Sequence, residues 1–191
     1  MATTRKMLRR YTTTALADGI KRARGRMISP LQRALGHVES VFIDHACFRL
    51  VYSNTHRISP NMYRASQPSP SHIREAARHG VKTILNLRGS RDCASYILEA
   101  EACRAAGLTL VDFPVNSRDM PKKETLLKAR DLFATMQYPA LLHCKSGADR
   151  AGFMSALYLF IHEGAPLERA TKQLHWKYGH FKQAKTGILD Y

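Results

Sequence analysis

The sequence predicts an α/β fold, with a mostly parallel central sheet flanked by helices. Three observations carry this expectation. Segments of strand length recur at Met62–Ala65, Val81–Leu87, Leu108–Val115 and Ala140–Cys144, the second an apolar strand and the last a buried one. The segments between and after them are long enough for helices, and three of these end at a glycine, Gly80, Gly107 and Gly164, the residue best suited to closing a helix in a left-handed conformation. Strands joined through helical crossovers run parallel, and open sheets of this kind bind ligands at the carboxyl ends of their strands.

In chain order, the composition first shifts at Ser29-Pro30, where serine can cap a helix and proline fits its first turn. Leu31, Leu35, Val38 and Phe42 then form an apolar stripe opposite Arg33, His37, Ser40 and Asp44, the pattern of an amphipathic helix over residues 29–52. Its second half, Val41 to Tyr52, is apolar nearly all round, which suits either burial against the domain or insertion into a lipid surface. A turn-rich stretch from Ser53 to Pro60 leads into the first strand. Helices are expected over Ser71–His79, Asp92–Ala106, Pro121–Met136 and Arg150–His162, with a further one opened by Pro166. No internal repeat or low-complexity tract is present.

The 191 residues, 45% apolar, suffice for a single sizeable core. The longest apolar stretch, near Ala151 to Ile161, is about half the ~20 residues of a membrane-spanning helix, so no such span is expected. Thirty Lys and Arg against 15 Asp and Glu leave a formal charge of +15 with histidines neutral, which favours an acidic partner or substrate. Arg5, Lys6, Arg9, Arg10, Lys21, Arg22, Arg24 and Arg26 face a single acid, Asp18, in residues 1–28. This segment reads as a basic, flexible arm retained on a cytoplasmic protein, with a mitochondrial transit peptide as the alternative. Cys47, Cys93, Cys103 and Cys144 lack the spacing of a disulfide scaffold or zinc site and read as free thiols in a reducing compartment. No His-x3-His or similar pattern is present, and neither a metal nor a cofactor is expected.

Chemistry concentrates in His143-Cys144-Lys145-Ser146-Gly147-Ala148-Asp149-Arg150, where a buried strand should turn into a helix. A bare Cys-x5-Arg arises by chance about 0.4 times in this composition, and requiring the flanking His and the Gly lowers that to about one in a thousand. A short loop entering a helix can turn its backbone N–H groups inward as a nest for a phosphate dianion, with Lys145 to Arg150 supplying the cradle and Gly147 permitting the tight path. The same field favours the thiolate of Cys144, the nucleophilic form. Arg150 can meet two non-bridging oxygens with its planar fork and follow the charge into the transition state. Ser146 lies within this cradle, and Lys145 can also meet a second phosphate or an acidic head group.

This loop resembles the His-Cys-x5-Arg signature of the protein tyrosine and dual-specificity phosphatase superfamily. Tyr63-Arg64-Ala65-Ser66-Gln67-Pro68 and Asn86-Leu87-Arg88-Gly89 are similar to segments of bacterial and plant atypical dual-specificity phosphatases. The resemblance covers roughly residues 62–161 and implies a cysteine phosphatase fold, residues 53–191 as the phosphatase domain, and metal-free hydrolysis through a phosphocysteine. It implies Cys144 as nucleophile, Arg150 as phosphate ligand and an aspartate general acid. Asp119, on the segment before Pro121, is the expected acid, and Asp149 within the loop is the rival; Asp112 is expected to face solvent. The family commonly has Ser or Thr after the loop arginine, whereas Ala151 stands here, implying slow phosphocysteine turnover. His175, Trp176, Tyr178 and His180 read as packing residues rather than an aromatic platform.

The expected function is therefore a cysteine-dependent phosphatase acting on a phosphorylated protein or an anionic phospholipid, with peripheral contact to an anionic membrane through residues 1–52. A phosphate-binding pseudophosphatase or basic membrane adaptor is the alternative. Nucleic-acid binding is not expected, because the basic arm lacks interleaved aromatics beyond Tyr11.

Overall fold

The computed structural model describes residues 53–116, 119 and 121–181. The basic arm and the amphipathic helix expected over residues 29–52 lie outside them. Five strands form one sheet: β1 (His56–Arg57), β2 (Met62–Ala65), β3 (Thr83–Asn86), β4 (Thr109–Asp112) and β5 (Ala140–His143), in the order β1-β2-β5-β3-β4. Strands β2, β5, β3 and β4 pair in parallel, while β1 pairs antiparallel with β2 at one edge. The α/β architecture with a mostly parallel sheet stands as expected; β1 was not legible, because two residues carry no periodicity.

Strands β3 and β5 are buried at every position, as parallel strands covered on both faces must be. Their residues alternate between two cores. On one face Leu85, Leu87 and Leu142 pack with Ala129 and Phe133 of α3 (Lys123–Thr135) and with Ala151 and Met154 of α4 (Asp149–Leu157). On the other, Ile84 and Leu141 pack with Ile73 of α1 (Pro70–Arg78) and Ala102 and Cys103 of α2 (Ala94–Ala105). A short α5 (Leu167–Thr171) follows Pro166, as its sequence predicts.

Helix α1 is opened by a capping box at Ser69, whose hydroxyl accepts from the His72 amide at 3.3 Å, and proline occupies its first position. The helix expected over Arg150–His162 is α-helical only to Leu157 and widens into a π turn over Tyr158–His162. The His162 ring there stacks on Tyr158 at 5.1 Å and on Tyr138 at 5.4 Å, contacts that accompany the extra residue in the turn.

Candidate active site

The carboxyl ends of the four parallel strands lie in register, with Ala65 beside His143, His143 beside Asn86, and Asn86 beside Asp112. The loops leaving these residues therefore gather along one edge. The loop after β5 runs from Cys144 to Ala148 and opens α4 at Asp149. Its tight path requires Gly147, which has φ +76°; a Cβ there would also lie 2.8 Å from the backbone of Ala65 and Ser66. Cys144 is 2% exposed, and the Gly147 amide donates to its sulfur at 3.2 Å. Ala148, at the N-cap of α4, has no side chain with which to cap the helix, which leaves the first amides of α4 available to an anion.

Arg150 is half-buried, and its Nη1 donates to the Leu87 carbonyl at 3.4 Å, so the end of β3 steadies the guanidinium from beneath. Lys145 and Ser146 are exposed at the loop surface. Asp149 accepts from Nδ1 of the buried His180 at 2.8 Å. Asp119 is exposed and accepts from Nδ2 of Asn116. Asp112 is exposed as expected, yet its carboxylate accepts from Asn86 Nδ2 at 2.8 Å and from the Tyr96 hydroxyl at 2.6 Å. Ala151 is wholly buried beneath the loop.

Behind the loop lies a polar layer that sequence reasoning missed. Nε2 of His143 meets Oε1 of Glu99, on α2, at 2.5 Å, and both side chains are 0% exposed. The second Glu99 oxygen accepts from Gln67 Nε2, and the Gln67 oxygen accepts from Arg88 at 2.7 Å. A buried carboxylate survives only with such partners, so the histidine of the signature is held by a chain drawn from three elements. The signal was an acid on a helix face otherwise occupied by Leu98, Ala102 and Cys103.

A second set supports the loop near the C-terminal end of the described chain. Asn54, at φ +43°, donates to the carbonyls of Ser146 and Tyr178, each at 2.9 Å. His56 Nε2 contacts the Asn54 side-chain oxygen at 3.0 Å, and burial, with the charges of Arg64 and Lys177, lowers its pKa. Tyr178 and His180 are thus packing residues of the loop's support, while Trp176 is 69% exposed.

A cavity of about 380 Å³ opens beside α1, lined among others by Tyr63, Ala65, His72, Glu75 and Leu141, and includes no residue of the 143–150 loop. Cys103 lies in the core on the opposite sheet face from Cys144, its thiol pKa pushed up to about 12 by burial and then by the Glu99 charge. Among the described residues no group of three or more His, Cys, Asp or Glu is placed to hold a metal ion, and no helix is long and apolar enough to cross a membrane.

Residues 46–188 match the family model described as DSP-PTPase phosphatase fused to NAD+ Kinase. The dual specificity protein phosphatase TpbA from two strains of Pseudomonas aeruginosa is 27% identical over 122 residues, which cover 63% of this chain and 53% of TpbA. The chain thus spans about half the length of these curated relatives. A crystal structure of P. aeruginosa TpbA superposes with a TM-score of 0.57 at 24% identity, over 72% of this chain and 83% of that one. A TpbA structure in complex with pTyr gives 0.54 at 26% identity, over 66% and 75% respectively. A putative phosphatase from Neisseria meningitidis gives 0.51 at 24% identity, over 70% and 94%. These likenesses identify the fold as that of the cysteine phosphatases.

Proposed function

The chain belongs to the family described as DSP-PTPase phosphatase fused to NAD+ kinase, and on that premise we propose that it is a cysteine-dependent phosphatase hydrolysing phosphate monoesters. The observation that carries the reading is the Cys144 loop, in which the Gly147 amide points at a buried sulfur and Arg150 stands one turn further on. Cys144 attacks phosphorus in line, the S–P bond forms and the P–O bond to the leaving group breaks. The loop amides and the Arg150 fork take up the charge on the non-bridging oxygens. Water then attacks the phosphocysteine, releasing inorganic phosphate and returning the thiolate. No hydroxyl assists this second step from position 151, since alanine is there.

Asp119 is the group we assign as general acid, protonating the leaving oxygen. Supporting it, Asp149 is engaged by the buried His180, whereas the partner of Asp119 is the exposed Asn116 and the carboxylate stays open to solvent on the segment after β4. Asp119→Asn should lower kcat by about 10²-fold or more for alkyl phosphates and far less for p-nitrophenyl phosphate, whose leaving group needs little protonation. The same leaving-group signature in Asp149→Asn, and its absence in Asp119→Asn, would transfer the role to the loop carboxylate.

For substrate, a phosphorylated protein is supported by the pTyr bound in the TpbA complex. An anionic phospholipid at a membrane surface is supported by the basic composition of residues 1–28 and the apolar stripe from Leu31 to Phe42. Phosphate release measured side by side on phosphopeptides, phosphoinositides in anionic vesicles, and soluble inositol phosphates separates these classes. Turnover confined to vesicles, lost on raising salt, assigns the lipid; turnover of phosphopeptides alone assigns the protein. No release from any class by the folded chain would overturn the phosphatase reading.

A further inference from the structure

Strand β2 places Met62 and Arg64 on the sheet face that packs against α3 and α4, where apolar residues otherwise dominate. Arg64 is 0% exposed there. Its Nη1 donates to the Gln173 carbonyl at 2.7 Å and to the Gln173 side-chain oxygen at 3.0 Å. Its Nη2 donates to the carbonyls of Gly147 at 2.7 Å and Ala148 at 3.0 Å. The guanidinium stacks on the buried Tyr178 ring, with Cζ 4.1 Å from the ring centroid. Gly152 leaves room for it, because a Cβ at that position would lie 3.3 Å from Nη2 and 2.9 Å from the Gln173 carbonyl.

We propose that Arg64 is a positioning residue of the phosphate site, setting the direction of the loop amides from inside the core. The inference rests on the phosphatase reading of the loop and adds a second arginine to it. A trans peptide unit carries its C=O and N–H on opposite sides. Anchoring the Gly147 and Ala148 carbonyls toward the core therefore turns the Ala148 and Asp149 N–H groups away from it, to the side where an oxyanion would sit. Burying a guanidinium carries a desolvation cost, and an apolar side chain would fill the position without it. The planar fork matters because one arm holds the loop while the other holds the 173–178 segment; a lysine cannot span both.

The test uses the full chain and tungstate as an inert oxyanion probe, its affinity measured by calorimetry on wild type, Arg64→Lys and Tyr178→Leu, with thermal midpoints as the folding control. Arg64→Lys should weaken tungstate binding about tenfold or more, equivalent to ~1.4 kcal/mol, and lower kcat for p-nitrophenyl phosphate in the folded protein. Tyr178→Leu, which removes the ring beneath the guanidinium, should weaken tungstate in the same direction by about threefold. A folded Arg64→Lys that binds tungstate within about twofold of wild type, with only its thermal midpoint lowered, would reduce Arg64 to a structural residue and overturn the proposal. Should Arg64→Lys fail to fold, unchanged affinity in Tyr178→Leu overturns it instead. Wild-type chain that binds tungstate yet releases no phosphate from any substrate fails the enzymatic reading alone and leaves this test intact.

Discussion

Cys144→Ser should release phosphate at less than about 10⁻⁴ of the wild-type rate while keeping its fold. The sulfur is 2% exposed and serine is smaller by little, so the loop and the Gly147 amide keep their places. What disappears is the proposed nucleophile, because a serine hydroxyl attacks phosphorus far less readily than a cysteine sulfur. Phosphate or substrate should still bind, since the amides and Arg150 remain. Steady-state kinetics, an oxyanion titration and a circular dichroism spectrum on one preparation check all three parts. Appreciable turnover in the folded variant would remove the covalent step from the mechanism.

Arg150→Lys should lower kcat by about 10²- to 10³-fold, the scale of losing one donor to a developing oxyanion, with a smaller change in KM. The native guanidinium is steadied by the Leu87 carbonyl at 3.4 Å, leaving its remaining N–H groups for the phosphate. Lysine keeps the charge but presents it as a flexible point, unable to grip two oxygens as they spread into the trigonal transition state. A kcat within about threefold of wild type would take Arg150 out of the reacting centre.

Cys144, Gly147 and Arg150, the proposed nucleophile, loop glycine and phosphate ligand, stood out in the sequence because they sit within eight consecutive residues and a local turn fixes their geometry. The sheet was legible for a related reason: Val81–Leu87 and Ala140–Cys144 carry apolar residues at consecutive positions, the pattern of strands covered on both faces. The helix ends were less so. Cys93 caps α2 where Asp92 was expected to begin it, and Tyr158 leaves the α-helix in a ring stack no periodicity encodes. The supports of the loop were hidden for a different reason. Arg64, Glu99 and Asn54 act on residues 44 to 124 positions away, and a single sequence shows a charged residue in an apolar pattern without showing its partner. His180 was read as packing, which its burial supports, but its bond to Asp149 weighs on which aspartate is free to act as acid.

The two ends of the described chain meet at the Cys144 loop. Asn54 joins Ser146, 92 residues on, to Tyr178, 124 residues on, and Arg64 joins Gly147 to Gln173, 109 residues beyond itself. Such contacts close long loops, whose entropic cost is offset only by the packing of the core between them. A nascent chain synthesised only as far as α4 therefore carries every residue of the reactive loop without the segment that shapes it. On the proposed mechanism the reactive loop reaches its working shape only when residues 173–180 dock, so a half-made molecule is expected to be a poor catalyst as well as an unstable one.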